Sequence, residues 1–182
     1  MKTFLITGAS TGIGAATARL AVEAGCRVVL AARSADKLTA LVDELGGREK
    51  ALGVTCDVAN FNDQKRLVDE ALSAFGRIDV AFANAGIGAT VPGTEKGDPQ
   101  NWHEMIMTNV YGCALTAKVC LPELRKNSGH FVVTGSNAGR RTLRGSIYGT
   151  TQWAVTGFAH NLREELDGTG VRVTLLDPGL VD

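Results

Sequence analysis

The sequence predicts an α/β fold, a parallel sheet with helices on both of its faces. Three observations predict it. Short apolar runs alternate with amphipathic or alanine-rich segments along the chain. Several of those runs are nearly continuous in apolar residues, as strands covered on both faces are. A glycine-rich turn, "TGASTGIG" at residues 7–14, joins the first run to the first helical segment. Such alternation implies right-handed crossovers between parallel strands.

The first strand is expected at Phe4–Thr7, with a helix over 12–24 after it. Val28–Ala32 is the second strand, leading into a helix over 34–45 that Ser34 is placed to cap. Lys50–Thr55 is the third, before a helix over 61–75 with Asn60 at its start. Ile78–Ala83 is the fourth, followed by the glycine-rich loop Ile87–Gly97. Asp98-Pro99 then supplies an N-cap and a first-turn proline for a helix over 99–126. His130–Thr134 is the fifth strand, 147–167 the fifth helix and Val171–Leu176 the sixth strand. A sheet ending at that strand carries an edge that needs cover from a partner chain or a further segment.

The 182 residues suit one domain over 1–182 with a sizeable core. Nineteen basic and nineteen acidic side chains balance to a formal net charge of zero, which gives no electrostatic footprint for nucleic acid or a membrane surface. No apolar stretch is long enough to span a bilayer, and "MKTFLITGAS" lacks the pattern of a signal peptide. Cys26, Cys56, Cys113 and Cys120 form no CxxC pair, and no His/Cys cluster has metal-ligand spacing. They are expected as reduced thiols in a cytoplasmic protein that holds no metal. His103, His130 and His160 are scattered, and the expectation for each is a structural or surface role.

Gly8, Gly12 and Gly14 follow the first strand and open the first helix. A backbone without Cβ lets a pyrophosphate approach the helix N-terminus, where free N–H groups and the dipole favour anions. At the first strand–helix turn of an alternating α/β chain, this spacing points to a dinucleotide. A tight structural turn is the competing reading.

Further motifs follow in order: Asp57 in "CDV", Asn84–Gly86 as "NAG", Asn109 in "TNVYG", Ser136 in "TGSNAG", Tyr148, and Pro178-Gly179. With the glycine turn they make the chain resemble the short-chain dehydrogenase/reductase family in its compact single-domain form. The resemblance implies a Rossmann-type, doubly wound parallel sheet of order 3-2-1-4-5-6. It also implies a nicotinamide dinucleotide and hydride transfer between it and a small-molecule secondary alcohol or ketone. The cofactor-binding residues it implies are Gly8, Ser10, Thr11, Gly12, Ile13 and Gly14 in the turn, Asp57 at the adenine, and Val58 beside it in sequence. Asn84, Ala85, Gly86, Tyr148, Gln152, Pro178, Gly179 and Val181 complete that set. Family members commonly pair through the last helix and the one before it, so a homodimer or homotetramer is expected. The family continues beyond Pro178-Gly179 into substrate-covering helices and a final strand, which this chain is expected to lack.

Cofactor choice follows from charge. In dinucleotide folds an acidic residue after the second strand bonds the ribose 2′-OH and disfavours a 2′-phosphate. Here the strand ends "VVLAARS", with Ala32 at that place and Arg33 next. An arginine fork suits a phosphate, so NADP(H) is expected over NAD(H). The competing reading of Arg33 is a solvated turn residue.

By the same resemblance the catalytic set is Ser136, Tyr148, Asn109 and a lysine four residues after the tyrosine. Tyr148 would move the proton at the substrate oxygen, which Ser136 holds. The lysine would favour the phenolate and bond the ribose, and Asn109 would support a water relay. That fourth position is Gln152, and no lysine follows Lys126. Ser136 stands twelve residues before Tyr148, one fewer than the family's spacing. A free phenol has a pKa of about 10, and bringing one near 7 takes about 4 kcal/mol. One cation about 4 Å away supplies roughly that much at an effective dielectric of about 20. Gln152 offers a donor and an acceptor but no charge. The expectation is an enzyme that binds its cofactor but turns over slowly, its alcohol oxidation rising steeply at high pH. The alternative is a non-catalytic dinucleotide-binding sensor or scaffold. Arg140, Arg141 and Arg144 have no acidic residue near them in sequence; the resemblance implies that their loop borders the substrate pocket, so it reads either as a site for an anionic substrate or as a solvated basic loop. Trp153 and Phe158 are expected in the core rather than at an interface.

Overall fold

A computed structural model describes residues 1–142 and 147–179. Six strands, β1 (Thr3–Thr7), β2 (Arg27–Ala32), β3 (Ala51–Thr55), β4 (Val80–Ala83), β5 (His130–Thr134) and β6 (Arg172–Leu176), form one parallel sheet. Its order is β3-β2-β1-β4-β5-β6, as expected. The order reverses between β1 and β4, and in such sheets that switch point opens a crevice beyond the carboxyl ends of the strands.

Neighbouring residues of one strand serve opposite faces. Leu5, Val29 and Ala31 join a cluster with α3 (Phe61–Phe75), α5 (Cys113–Lys126) and α6 (Ile147–Glu165), through Leu67, Ala117, Leu124, Val155 and Leu162. Ile6, Val28 and Leu30 join the opposite cluster with α1 (Gly12–Glu23) and α2 (Ala35–Glu44), through Ala15, Ala18, Leu38 and Leu41. The expectation of strands buried on both faces therefore holds for β1 and β2. It fails toward the edge. In β5, Phe131 and Val133 are buried while His130, Val132 and Thr134 are half-buried, and in β6 Arg172 and Leu176 are exposed.

The helix starts follow local chemistry. Asn60 accepts from the N–H groups of Asn62 and Asp63, and Gly76, at φ 75°, ends the same helix in the left-handed region. Asp98 accepts from Gln100 N ahead of Pro99, the first residue of α4 (Pro99–Met105). Ser34 occupies the cap position of α2, but its side chain makes no capping bond.

The largest departure from expectation lies between residues 99 and 126. No single helix covers this stretch. After α4 the backbone widens into a π-helical segment, Ile106–Gly112, before α5 begins. Such segments are rare and often sit at functional sites. Asn109 lies within this one. Trp153 is also not core: it is exposed on α6, whereas the half-buried Phe158 packs against the core.

Candidate active site

The glycine turn uses its three glycines for different reasons. Gly8 has φ +63°, and a Cβ there would come within 2.8 Å of Ala85 Cα. Gly12 has φ +54° and open space around it, so backbone conformation alone demands glycine. At Gly14 a Cβ would strike the Gly8 carbonyl and come within 2.8 Å of Asn84 Nδ2. The turn is thus packed directly on the "NAG" segment. Thr11 sits at the N-cap of α1 with no side-chain bond to its free N–H groups, which leaves those donors and the dipole for an anion.

Asn84 ties three strand ends together. Its Nδ2 donates to the carbonyls of Thr7 and Gly8, and its Oδ1 accepts from Thr134 Oγ1 at 3.0 Å. Thr7 Oγ1 accepts from the N–H groups of Asn84 and Ala85. The amide of Asn84 therefore works as a brace beneath the crevice, holding the glycine turn against β4 and β5.

The second half of the site is assembled around α6. Asn109 accepts from Ile87 N at 2.8 Å and donates to Ile87 O and to Thr151 Oγ1, both at 3.0 Å. Thr151 donates to the Tyr148 carbonyl at 2.8 Å. Asn109 thus links the loop after β4 to the helical turn that carries Tyr148. The wider backbone that presents Asn109 is held by Gln64, which is fully buried. Its Nε2 donates to Val58 O and Gly112 O at 2.8 and 2.9 Å, and its Oε1 accepts from Thr116.

Ser136 stands at the start of a short 3₁₀ turn, Asn137–Gly139, where its Oγ accepts from Ala138 N at 3.1 Å. That turn lies directly on α6. A Cβ on Gly139 would come within 2.6 Å of Thr156 Oγ1 and 2.7 Å of Gln152 O. Gly139 is therefore what lets the Ser136 segment approach the turn bearing Gln152. Gln152 itself is 5% exposed, and its Oε1 is buried without a hydrogen-bond partner among the described residues.

A cavity of about 770 Å³ runs from the glycine turn to α6. Gly8, Ser10, Thr11 and Ile13 line its first part, with Arg33, Asp57 and Val58 beyond them. Asn84, Ala85 and Gly86 line its floor, and Asn109, Tyr148 and Gln152 its other end. Gly12, Gly14, Ser136, Pro178 and Gly179 are not among the lining residues, and Val181 and Arg144 lie outside the described residues. Lys37 also lines the cavity, near Arg33. It lies in the first turn of α2, just past Arg33, and carried no motif to mark it in the sequence. Thr108 and Thr134 line it too and had no motif to mark them. Cys56, buried at this wall, has its thiol pushed up to about 12 by burial and by Asp63, which keeps it neutral. Arg140 is not a free cation. Its Nε donates to Asp177, a partner 37 residues on that proximity in sequence did not reveal.

Among the described residues lining the cavity, the cations are Arg33 and Lys37, both beyond β2. Tyr148 follows β5, three strand spacings or about 14 Å away across the sheet. At that distance solvent and salt screen an exposed charge strongly. Among the described residues, no group of His, Cys, Asp and Glu is placed to hold a metal.

The residues fit a dinucleotide. The glycine turn at the α1 N-terminus supplies an anion cradle, the cavity has the size of a small-molecule site, and Gln152 Oε1 is a buried acceptor awaiting a donor. The fold and this crevice define a dinucleotide-binding domain of the oxidoreductase kind. Comparison with known proteins agrees: the family model for short chain dehydrogenases matches residues 2–182, and the chain belongs to that family, a class of NAD(P)-dependent dehydrogenases and reductases. An uncharacterised oxidoreductase of Listeria monocytogenes is 36% identical over 186 residues, covering 100% of this chain and 75% of the relative. An NADP-dependent 3-hydroxy acid dehydrogenase of Salmonella typhi is 37% identical over 179 residues, covering 97% and 71%. An alcohol dehydrogenase from Thermococcus sibiricus, solved with 5-hydroxy-NADP, superposes with a TM-score of 0.91 at 33% identity, covering 100% of this chain and 77% of that one.

Proposed function

We propose that this chain is an NADP(H)-linked oxidoreductase of a small-molecule secondary alcohol or ketone, with turnover limited by Gln152. The observation that carries the reading is the single cavity joining the glycine turn to Tyr148 and Gln152. When bound, the nicotinamide supplies the hydride chemistry. The protein's part is to bind, orient and handle a proton. Arg33 and Lys37 favour a 2′-phosphate over a bare ribose, and no acidic side chain occupies position 32. The NADP dependence of the Salmonella relative and the 5-hydroxy-NADP held by the Thermococcus one support the same choice. In this reading the Tyr148 hydroxyl gives or takes a proton at the substrate oxygen, and Ser136, next to the lining residue Gly135, holds that oxygen. Gln152 contributes an acceptor to the ribose but no charge.

The neutral Gln152 also favours a second reading, a dinucleotide-binding protein that senses or scaffolds without turnover. Binding titrations with NADPH and NADH, followed by NADPH oxidation against a panel of ketones and aldehydes, separate the two. Binding with turnover supports the enzyme, binding alone supports the sensor, and no binding of either dinucleotide overturns both.

The reading includes two copies or more of the chain in a cytoplasmic setting. Ile106, Tyr111 and Trp153 are large apolar side chains exposed on the π-helical segment and α6, which supports association through these elements. Four unpaired cysteines support a reducing compartment.

A further inference from the structure

Two segments that leave neighbouring strands meet at Gly135, which lines the cavity along with Tyr148 and Gln152. Gly135–Gly139 follows β5 and carries Ser136. Asp177–Gly179 follows β6. They are joined beyond the ends of the strands by Gly135 N donating to Leu176 O at 2.7 Å and Asn137 N donating to Pro178 O at 3.1 Å. Pro178 has no N–H to return, so the backbone tie is one-sided here. A side-chain tie completes it. Arg140 Nε donates to Asp177 Oδ2, and Asp177 Oδ1 is buried with no partner of its own among the described residues.

The carboxylate is seated close. A Cβ on Gly135 would come within 2.5 Å of Asp177 Oδ1, and Gly135 lines the cavity. Asp177 is 16% exposed while Arg140 is 53% exposed. The pair therefore anchors a mostly buried carboxylate from the solvent side, across the gap between the two segments.

We propose that Arg140 and Asp177 are a positioning pair, holding the Pro178-Gly179 segment in fixed relation to Ser136 and so setting where the nicotinamide end of a bound dinucleotide lies against the substrate oxygen. The inference rests on the functional reading above. It also removes Arg140 from the anion-binding loop that its neighbours in sequence suggest.

The test compares the wild-type protein with Arg140→Met, Asp177→Asn and the charge-exchanged Arg140→Asp/Asp177→Arg. NADPH binding is read by nicotinamide fluorescence. Adenosine 2′,5′-bisphosphate, which has the cofactor's phosphorylated adenosine end and no nicotinamide, is titrated by calorimetry. Each single variant is expected to weaken NADPH by about fivefold, as loss of a half-exposed pair does, and to leave the bisphosphate unchanged. The exchanged double variant is expected to bind NADPH more tightly than either single. Equal losses for both ligands, no loss for either, or a double variant weaker than both singles overturns the pair. Wild-type protein that binds neither NADPH nor NADH overturns the functional reading and this inference with it; wild-type binding matched by both single variants overturns the pair alone.

Discussion

Asn109 Nδ2 lies 3.0 Å from Thr151 Oγ1, and Thr151 passes a hydrogen bond on to the Tyr148 carbonyl at 2.8 Å. This two-step link connects the π-helical segment to the turn of α6 that carries both Tyr148 and Gln152. Thr151 is buried, so neither Asn109 nor Tyr148 finds water as a substitute partner without rearrangement.

Thr151→Val keeps the shape and removes the hydroxyl. It leaves a buried amide N–H of Asn109 unpaired, at a cost of about 1–3 kcal/mol. For a chain of this size that lowers the thermal midpoint by about 2–10 °C. Thr151→Ser should recover most of the loss. Circular-dichroism melts of the three proteins check it, and a valine variant as stable as wild type would show that the link carries no energy.

Arg33→Ala and Lys37→Ala address the other end of the cavity. Both side chains are exposed at its wall, and a charge-assisted bond to a phosphate contributes about 1.5–3 kcal/mol. Each substitution should weaken NADP⁺ by about tenfold to a hundredfold, with little change for NAD⁺. Equal losses for the two cofactors would place these cations on the shared diphosphate instead.

Much of the fold was legible because the signals were local. The alternation of apolar runs with helices fixed six strands, and the glycine turn marked the crevice. The π-helical segment was not legible, because Ile106–Gly112 holds no proline and no glycine before its last residue. What stabilises it is tertiary: Gln64, from α3, bonds the Gly112 carbonyl. Arg140 and Asp177 were equally hidden, since sequence reading looked for a counter-charge nearby and the partner arrives from the next strand. The residues on motifs were singled out by resemblance, and the structure gives two of them reasons that a motif does not convey. Asn84 braces strands, and Gly14 makes room for Gly8 and Asn84.

Stability should depend on pH through His130. Burial, with Arg172 nearby, holds its imidazole below the ordinary histidine range, and Nε2 lies 2.8 Å from Thr174 Oγ1 across β5 and β6. A depressed folded pKa means that the unfolded chain takes up the proton first as pH falls. The contribution is therefore complete above about pH 6.5 and is lost as pH drops through the lower folded value. Thermal midpoints should decline from about pH 7 to about pH 5, and less so in His130→Gln. Asp79 acts in a more acidic window. Burial raises its carboxyl, but Arg77 and the Thr3 N–H outweigh this and hold it low, so its contribution is present above about pH 3.9 and lost below. A His130→Gln profile that parallels wild type between pH 5 and 7 would sink the assignment.

Gln152 is where binding and turnover should separate. Its Oε1 is buried without a partner among the described residues, a state that costs about 1–3 kcal/mol unless a ligand donor fills it. Gln152→Met, of similar volume and with no such demand, should raise the melting temperature of the free protein while weakening NADPH. Gln152→Lys should do the reverse for catalysis. A cation one helical turn from Tyr148 favours a phenolate, and the shift it supplies corresponds to an increase of up to about a thousandfold in turnover. Alcohol oxidation and carbonyl reduction must rise together, because the overall equilibrium ties them at fixed pH. Parallel assays of both directions, with NADPH titrations of all three proteins, check the two claims. A lysine variant no faster than wild type would mean that position 152 does not limit the reaction. A methionine variant that binds NADPH as well as wild type would mean that the buried oxygen has no partner in the cofactor.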